Sequence, residues 1–130
     1  MSKLVLHATA LSLLAGSAWK GVLILGPHGI GKSDMALRAV EKGLVLISDS
    51  HTCLWSSGGH LYAATADNQP DGTRSYTRVH LIALAQAEPT ANAPTGEVTA
   101  ILGHDIATVR VNPREASCVP RLIARLRTLK

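Results

Sequence analysis

Eight consecutive residues in the first third of the chain have the types and spacing that phosphate chemistry needs. They fit the pattern G-x-x-x-x-G-K-S/T and are called the glycine-rich loop, whose members are Gly26, Pro27, His28, Gly29, Ile30, Gly31, Lys32 and Ser33. Glycines allow backbone N–H groups to turn inward around a polyphosphate, and a following helix adds partial positive charge. Lys32 can reach the β- and γ-phosphates, and Ser33 can ligate Mg²⁺. The pattern predicts a nucleotide-binding loop, with a plain strand-to-helix turn as the alternative.

An acidic residue, Asp49, follows the next apolar run along the chain. If that run is a strand, the carboxylate faces the crevice at the carboxyl end of a sheet. There Asp49 can accept a proton from an attacking hydroxyl, or help to hold a metal ion directly or through water. The alternative is a carboxylate that caps its own turn over residues 49–51.

Two histidines are further candidates for the same site. His7 stands near the end of the first apolar run, where it can assist at a site or be a hydrogen-bonded core residue. His28, inside the loop, can add a donor to a phosphate or be a tolerated substitution. The remaining four histidines lack the spacing of metal ligands and are predicted to be structural or solvated.

Two other groups of residues give weaker signals. Arg74 and Arg78 beside Tyr76 form either an anion-binding cluster or, as the preferred interpretation, a charged loop end. Cys53 and Cys118 are isolated thiols without C-x-x-C spacing, so neither a zinc site nor a disulfide framework is indicated. Both are predicted to be reduced.

The elements that must position the loop follow from hydrophobic spacing. Strands are predicted at residues 4–8, 10–14 and 21–25, with a turn at Gly16 and Ser17. A helix is predicted over residues 33–42, because its apolar residues fall on one face and Gly43 can end it. The next strand is predicted at residues 44–47. The order strand, loop, helix, strand is the βαβ start of an α/β domain.

The rest of the chain predicts a mixed sheet. Two short runs separated by turn residues are typical of a hairpin, and three more apolar runs indicate further strands. These five strands are predicted at residues 52–55, 60–64, 78–84, 98–102 and 106–111. Loops are predicted at residues 65–76 and 86–97, where polar residues, glycine and proline cluster.

A second helix is predicted at the C-terminus. Asn112 can be its N-cap, Pro113 its first residue and Glu115 the partner in a capping box. Pro120 is expected to kink this helix or to split off its first turn. The predicted fold class is therefore α/β, a mixed β-sheet with a helix after the glycine-rich loop and a C-terminal helix.

Length and composition limit the classes of protein that fit. The chain has 130 residues, 46% hydrophobic and 17% charged, which fits one domain over residues 1–130 rather than a disordered tail. The formal net charge of +4 is not collected in one basic run, so no nucleic-acid partner is predicted. No stretch reaches the roughly 18 apolar residues of a membrane span, and polar residues interrupt the run that imitates a signal peptide. A soluble, cytoplasmic protein is expected.

The segments around the loop resemble the catalytic domain of HPr kinase/phosphorylase. The similar residues are 6–10, which carry His7, then 21–38, which carry the loop, then 43–49, which end at Asp49. A second stretch, from residue 101 to residue 117, is similar to the end of the short forms that lack the N-terminal domain of longer members. The loop pattern is shared by many NTPases, so the specificity comes from His7, the short two-strand lead-in and the strand that ends at Asp49.

The resemblance implies an ATP-dependent kinase that phosphorylates a serine of the phosphocarrier protein HPr in the regulation of carbohydrate metabolism. Members commonly also remove the phosphate by phosphorolysis, use Mg²⁺ and form homo-oligomers. By position, the resemblance implies that Lys32 binds phosphate, that Ser33 binds Mg²⁺ and that His7 assists at the site. Asp49 would belong to the acidic pair that handles the proton of the serine.

Two features of the family are absent from the sequence. The family has two adjacent acids where this chain has Asp49 and Ser50, and residues 50–78 contain no glutamate, so the Glu-x-Arg-Gly motif has no counterpart. Two alternatives therefore stand beside the kinase. One is a nucleotide-binding regulator that has lost phosphate transfer, and the other is a small-molecule kinase or NTPase.

Overall fold

A computed structural model of the chain describes residues 3–66, 75–88 and 96–129. These residues form nine strands and two helices. In chain order the elements are β1 (Lys3–His7), β2 (Thr9–Ala15), β3 (Ala18–Leu25), α1 (Lys32–Glu41), β4 (Val45–Ser48), β5 (His51–Ser57), β6 (His60–Thr65), β7 (Tyr76–Ala85), β8 (Val98–Ile101), β9 (His104–Val111) and α2 (Cys118–Thr128). The mixed α/β class predicted from the sequence is confirmed.

The strands form two sheets that share β7. Seven strands follow one another in the order β1-β5-β6-β7-β3-β2-β4, and β9 and β8 continue from β7. The first residues of β7 pair antiparallel with β6, whereas its later residues pair parallel with β3 on one side and β9 on the other. The large sheet is β4, β2, β3, β7, β9 and β8, and the small sheet is β1, β5, β6 and the start of β7.

Four strands of the large sheet run in the same direction. β3, β7 and β9 are parallel neighbours, and β4 is parallel to them because β2 is antiparallel to both β3 and β4. Their carboxyl ends therefore meet at one edge of the sheet, called the carboxyl edge. Ligand sites of open α/β sheets lie outside this edge.

Hydrophobic burial on both faces explains the continuous apolar runs of the central strands. Val22 and Ile24 of β3 pack in the core beneath the two helices, whereas Leu23 packs in a second core that also contains Leu54 and Leu61 of the small sheet. All five side chains are at most 1% exposed. The loop that follows β3 thus starts from a strand fixed on both faces.

The crossover predicted around the loop is confirmed. β3, α1 and β4 form it, and β2 lies between the two parallel strands. The Gly16–Ser17 turn joins β2 to β3 through the Ala15–Ala18 pair, and the predicted hairpin is β5 and β6. Gly43 ends α1 as predicted, with a φ of 103°.

The predicted start of the C-terminal helix is wrong. Asn112 does accept the N–H of Arg114 at 2.9 Å, as an N-cap would, but two hydrogen-bonded turns follow, and α2 begins only at Cys118. Pro120 is consequently the third residue of α2, where a backbone N–H has no partner within the helix. The proline costs no helical hydrogen bond there, so no kink is required.

Parts of the two predicted loops lie outside the described residues. This holds for residues 67–74 and 89–95, and Arg74 is among them. Tyr76 belongs to β7 instead of to the predicted loop, and Arg78 lies in β7, where a strand was predicted. Neither helix in the described part of the chain is long and apolar enough to cross a membrane.

Candidate functional site

A cavity of about 290 Å³ lies at the carboxyl edge, where the glycine-rich loop and the end of β4 face each other. We call it the loop cavity. It is lined by His7, Thr9, His28, Gly29, Gly31, Lys32, Ser33, Asp34, Asp49 and Ser50. The structure thus brings His7, Lys32, Ser33 and Asp49 to one place, although they come from β1, from the start of α1 and from the turn after β4.

The loop is tightly packed at two glycines. A Cβ on Gly26 would lie 2.9 Å from the carbonyl oxygen of Ala85, and one on Gly31 would lie 3.3 Å from the Cβ of Pro113. Gly31 also has a φ of 109°, which L side chains rarely adopt. The end of β7 and the turn after β9 therefore pack closely against the loop, and both positions favour glycine.

Lys32 begins α1 and is only 7% exposed. Its Nζ donates hydrogen bonds to the carbonyl oxygens of Gly26, at 2.7 Å, and Pro27, at 3.0 Å. A buried ammonium needs such partners, since an unpaired charge in an apolar region is expensive. The ammonium is therefore held inside the loop, where an anion bound by the loop would meet it.

Asp49 follows β4 and accepts hydrogen bonds from two hydroxyl groups. Thr9 Oγ1 donates to Oδ1 at 2.9 Å, and Ser33 Oγ lies 3.3 Å from both carboxylate oxygens. The turn after β4 is held by another residue, since Ser48 Oγ donates to the carbonyl oxygen of His51 at 2.9 Å. The carboxylate of Asp49 is thus aimed across the cavity at the start of α1.

Thr9 was missed by the sequence analysis. It is the first residue of β2 and is 2% exposed, and its side-chain hydroxyl links β2 to Asp49, 40 residues away. Strand alternation contains a signal for it, because Leu11 and Leu13 on the same side of β2 pack under the helices. A hydroxyl on that side must meet the start of α1 or the end of β4.

The histidine rings form one group at the mouth of the cavity. The ring of His7 lies 5.5 Å from that of His28 and 6.1 Å from that of His51, both edge to face. All three residues are exposed, so the alternative of a buried core histidine does not hold for His7. His51, predicted to be structural or solvated, adjoins the site through His7.

Ser33 and Asp49 offer oxygen donors, which suit Mg²⁺. Among residues 3–66, 75–88 and 96–129, no group of three or more His, Cys, Asp or Glu side chains is arranged to hold a metal ion. Mg²⁺ is usually bound by one or two carboxylates together with waters and phosphate oxygens, so this pair fits an ion that arrives with a polyphosphate.

The chain is similar to known proteins in sequence and in structure. Over 64 residues it is 42% identical to HPr kinase/phosphorylase of Mycoplasmopsis pulmonis (strain UAB CTIP), a match that covers 49% of this chain and 19% of that protein. The match thus spans about a fifth of the relative. No protein-family model matches the chain.

A solved structure extends the likeness to almost the whole chain. The Hpr(Ser) kinase/phosphatase from Coxiella burnetii superimposes with a TM-score of 0.71 at 21% identity, covering 95% of this chain and 87% of that chain. At this identity the likeness shows the fold. The chain therefore resembles HPr kinase/phosphorylase in sequence along about half of its length and has the fold of an HPr kinase along nearly all of it.

Proposed function

We propose that this chain is a catalytic domain, over residues 1–130, that transfers the γ-phosphate of ATP to a serine of an HPr-type phosphocarrier protein. The observation that carries the proposal is the convergence of Lys32, Ser33 and Asp49 on one cavity at the carboxyl edge. The names of the two proteins compared above state that they act on HPr. One of them is also similar to this chain in sequence.

Binding of the polyphosphate falls to the loop and Lys32. Backbone N–H groups of the loop and the start of α1 face the anion, and the buried ammonium exchanges a loop carbonyl for a phosphate oxygen. This exchange replaces a neutral acceptor by a charged one, which makes the hydrogen bond stronger. His28 adds a donor at the mouth of the cavity.

Ser33 and Asp49 would hold Mg²⁺ together with phosphate oxygens. The ion, when bound, neutralises charge that develops on the transferring phosphoryl group. The distance of 3.3 Å between the serine Oγ and either carboxylate oxygen shows that both side chains already face the same space.

Asp49 also accepts the proton of the incoming serine hydroxyl. Thr9 donates to Oδ1 at 2.9 Å, while among the described residues Oδ2 has only the longer contact to Ser33, so Oδ2 takes the proton. The serine oxygen then bonds to the γ-phosphorus, the bond from phosphorus to the bridging oxygen breaks, and ADP leaves. A positioned general base contributes about 10²–10⁴ in rate.

The proposal also covers the location, partner and assembly of the enzyme. The resemblance supports a cytoplasmic enzyme that meets a protein partner, forms homo-oligomers and also removes the phosphate by phosphorolysis. His7, beside His28 and His51, assists at the mouth of the cavity, where the acceptor serine must enter.

The test is transfer of labelled γ-phosphate from Mg-ATP to a purified HPr-type phosphocarrier. We expect the label on the native acceptor and none on an acceptor whose target serine is replaced by alanine. Asp49→Asn should stop transfer while ATP still binds. A protein that binds ATP but labels no acceptor would contradict the kinase.

A nucleotide-binding regulator is the second candidate, and Ser50 favours it. This residue lines the loop cavity where the family has its second acid, and its φ of 83° is rare outside glycine, asparagine and aspartate. Aspartate fits that backbone at least as well as serine. If Ser50→Asp produces transfer that the native chain lacks, the native chain is a regulator; equal transfer by both supports the kinase.

A further inference from the structure

A second cavity lies on the other side of the glycine-rich loop. It has a volume of about 570 Å³, within the roughly 300–1,000 Å³ of small-molecule sites, and shares Gly29, Gly31 and Asp34 with the loop cavity. Its remaining wall comes from Ile30, Arg38, Pro113 and Arg114, and we call it the arginine cavity. One elongated ligand lying over the loop would enter both cavities.

The far wall of the arginine cavity is a fixed turn after β9. Asn112 Oδ1 accepts the N–H of Arg114 at 2.9 Å, and Asn112 Nδ2 donates to the carbonyl oxygen of Ala87 at 3.0 Å. The guanidinium of Arg38 donates to the carbonyl oxygen of Pro113. Pro113 is therefore held against Gly31, and the wall is formed before any ligand binds.

Two arginines on this wall keep unused donors. Nε of Arg38 is buried and lies 3.3 Å from Asp34 Oδ2, but the direction of its N–H does not make a hydrogen bond. The side chain of Arg114 is exposed and has no hydrogen-bond or ion-pair partner among the described residues. A free guanidinium beside Pro113 and Ile30 suits a planar, partly apolar group.

We propose that the arginine cavity binds the nucleoside of the nucleoside triphosphate, with Arg114 stacked on the base. The inference rests on the proposed function. The γ-phosphate must face Asp49, and the acceptor serine must reach it through the loop cavity, whose volume is only about 290 Å³. A polyphosphate held by the loop therefore extends to the other side, where the arginine cavity begins.

An apolar groove beside α1 and β4 is the competing place. It also has a volume of about 570 Å³ and touches Ser33 and Asp49. It contains no residue from 26 to 32, and Asp49 is its only charged side chain. A phosphate chain on the loop backbone therefore does not lead into it.

The test compares two magnesium-complexed ligands, ATP and inorganic tripolyphosphate, by calorimetry on the whole chain. They share the phosphates and differ in the nucleoside. Native protein is measured beside Arg114→Ala, Arg114→Lys and the control Arg127→Ala on the exposed face of α2. Thermal unfolding of each variant verifies the fold.

We expect native protein to bind ATP more tightly than tripolyphosphate. Arg114→Ala should weaken ATP binding about ten-fold and change tripolyphosphate binding less than about two-fold. Arg114→Lys keeps the charge and loses the planar stack, so most of the loss for ATP should remain. Arg127→Ala should change neither ligand.

Three outcomes would overturn the inference and leave phosphate binding by the loop in place, and a fourth would overturn both. If Arg114→Ala weakens the binding of both ligands equally, Arg114 interacts with the phosphates and not with the base. If ATP binding is unchanged, Arg114 is not part of the site. Native protein that binds tripolyphosphate as tightly as ATP has no nucleoside subsite, although the loop still binds phosphate. Binding of neither ligand would refute the proposed function itself.

Discussion

The polar groups at the two ends of the large sheet differ in what they bond to, although the same strands supply both ends. At the carboxyl edge, charged groups are held by partners that a ligand can replace. Lys32 bonds to two loop carbonyls, Asp49 accepts from two hydroxyls, and Arg114 lines a cavity. At the start of the same strands, polar groups bond to one another instead.

In the half of the sheet where these strands start, called the amino half, polar groups are already bonded to protein partners. Ser12 and Thr77 share a hydrogen bond of 3.0 Å between buried hydroxyls, and the N–H of Gly21 donates to Nδ1 of His80 at 3.2 Å. Lys20 donates to the carbonyl oxygen of Leu129, which ties β3 to the end of α2. Substitutions at the carboxyl edge should therefore change activity, and those in the amino half should change stability.

The largest effect at the carboxyl edge is expected from Lys32→Ala. The variant leaves the phosphates without the buried ammonium, so ATP affinity should fall about 100-fold or more and transfer should become undetectable. Calorimetry with Mg-ATP and the labelled transfer assay measure the two quantities. The exposed Lys42→Ala, at the end of α1, is the control and should behave like the native chain. Retained ATP binding by Lys32→Ala would place the nucleotide elsewhere.

The largest effect in the amino half is expected from Gly21→Ala. Its Cβ would lie 2.2 Å from the carbonyl oxygen of Arg78, where β3 passes β7, and backbone cannot move aside cheaply. The free energy of unfolding should fall by more than about 2 kcal/mol in urea titrations. Gly16→Ala is a matched control because its Cβ meets nothing within 4 Å, and only the φ of 68° opposes it, at about 1 kcal/mol. If both variants lose the same free energy of unfolding, β3 and β7 can move apart at no cost in stability.

The sequence analysis predicted those features that depend on residues close together in the chain. The loop, α1 and the strand before Asp49 follow from spacing within about 25 residues, and the structure places them as expected. Where β2 lies could not be predicted, because strand order depends on contacts between distant residues. For this reason the bond from Thr9 to Asp49 was not foreseen, although it joins the site to the core.

The error at the C-terminal helix has a local cause. Asn112 makes the hydrogen bond to the N–H of Arg114 that an N-cap would make, yet the same bond also closes a simple turn. Glu115 then donates its N–H to the carbonyl of Asn112, and Cys118 donates to Glu115, so two turns come before α2. The displaced start leaves Pro113 and Arg114 beside the glycine-rich loop, where a helix would have carried them away.

A smaller effect is expected from Thr9→Val, which tests how Asp49 is positioned at the carboxyl edge. Valine keeps the shape but removes the hydroxyl that donates to Asp49 Oδ1, so kcat for transfer should fall about ten-fold while KM for ATP stays the same. Thr9→Ser keeps the donor and should recover most of the rate. A fall in thermal stability that serine also shows, without the split between kcat and KM, would make Thr9 a packing residue only.

The smallest effect is a pH dependence of stability that arises at His80. Burial lowers the pKa of His80, and the nearby charges of Arg78, Lys20 and His60 act in the same direction. A hydrogen bond that protonated Nδ1 donates to the Arg78 carbonyl oxygen, 3.3 Å away, raises the pKa, but this effect is smaller than that of burial. The neutral ring is the form that accepts the N–H of Gly21.

Because the folded pKa lies below the unfolded value of 6.5, the unfolded chain binds the proton first as the pH falls. His80 should therefore reduce stability progressively as the pH drops below about 6.5, and the loss should stop below the folded pKa. His80→Asn keeps an acceptor for Gly21 without a titrating ring, so its urea midpoint should change less between pH 7.5 and 5.5 than that of the native chain. An equal change in both would assign the pH dependence to other groups, and ATP affinity measured at pH 7.5 should be the same in both proteins because His80 lies in the amino half.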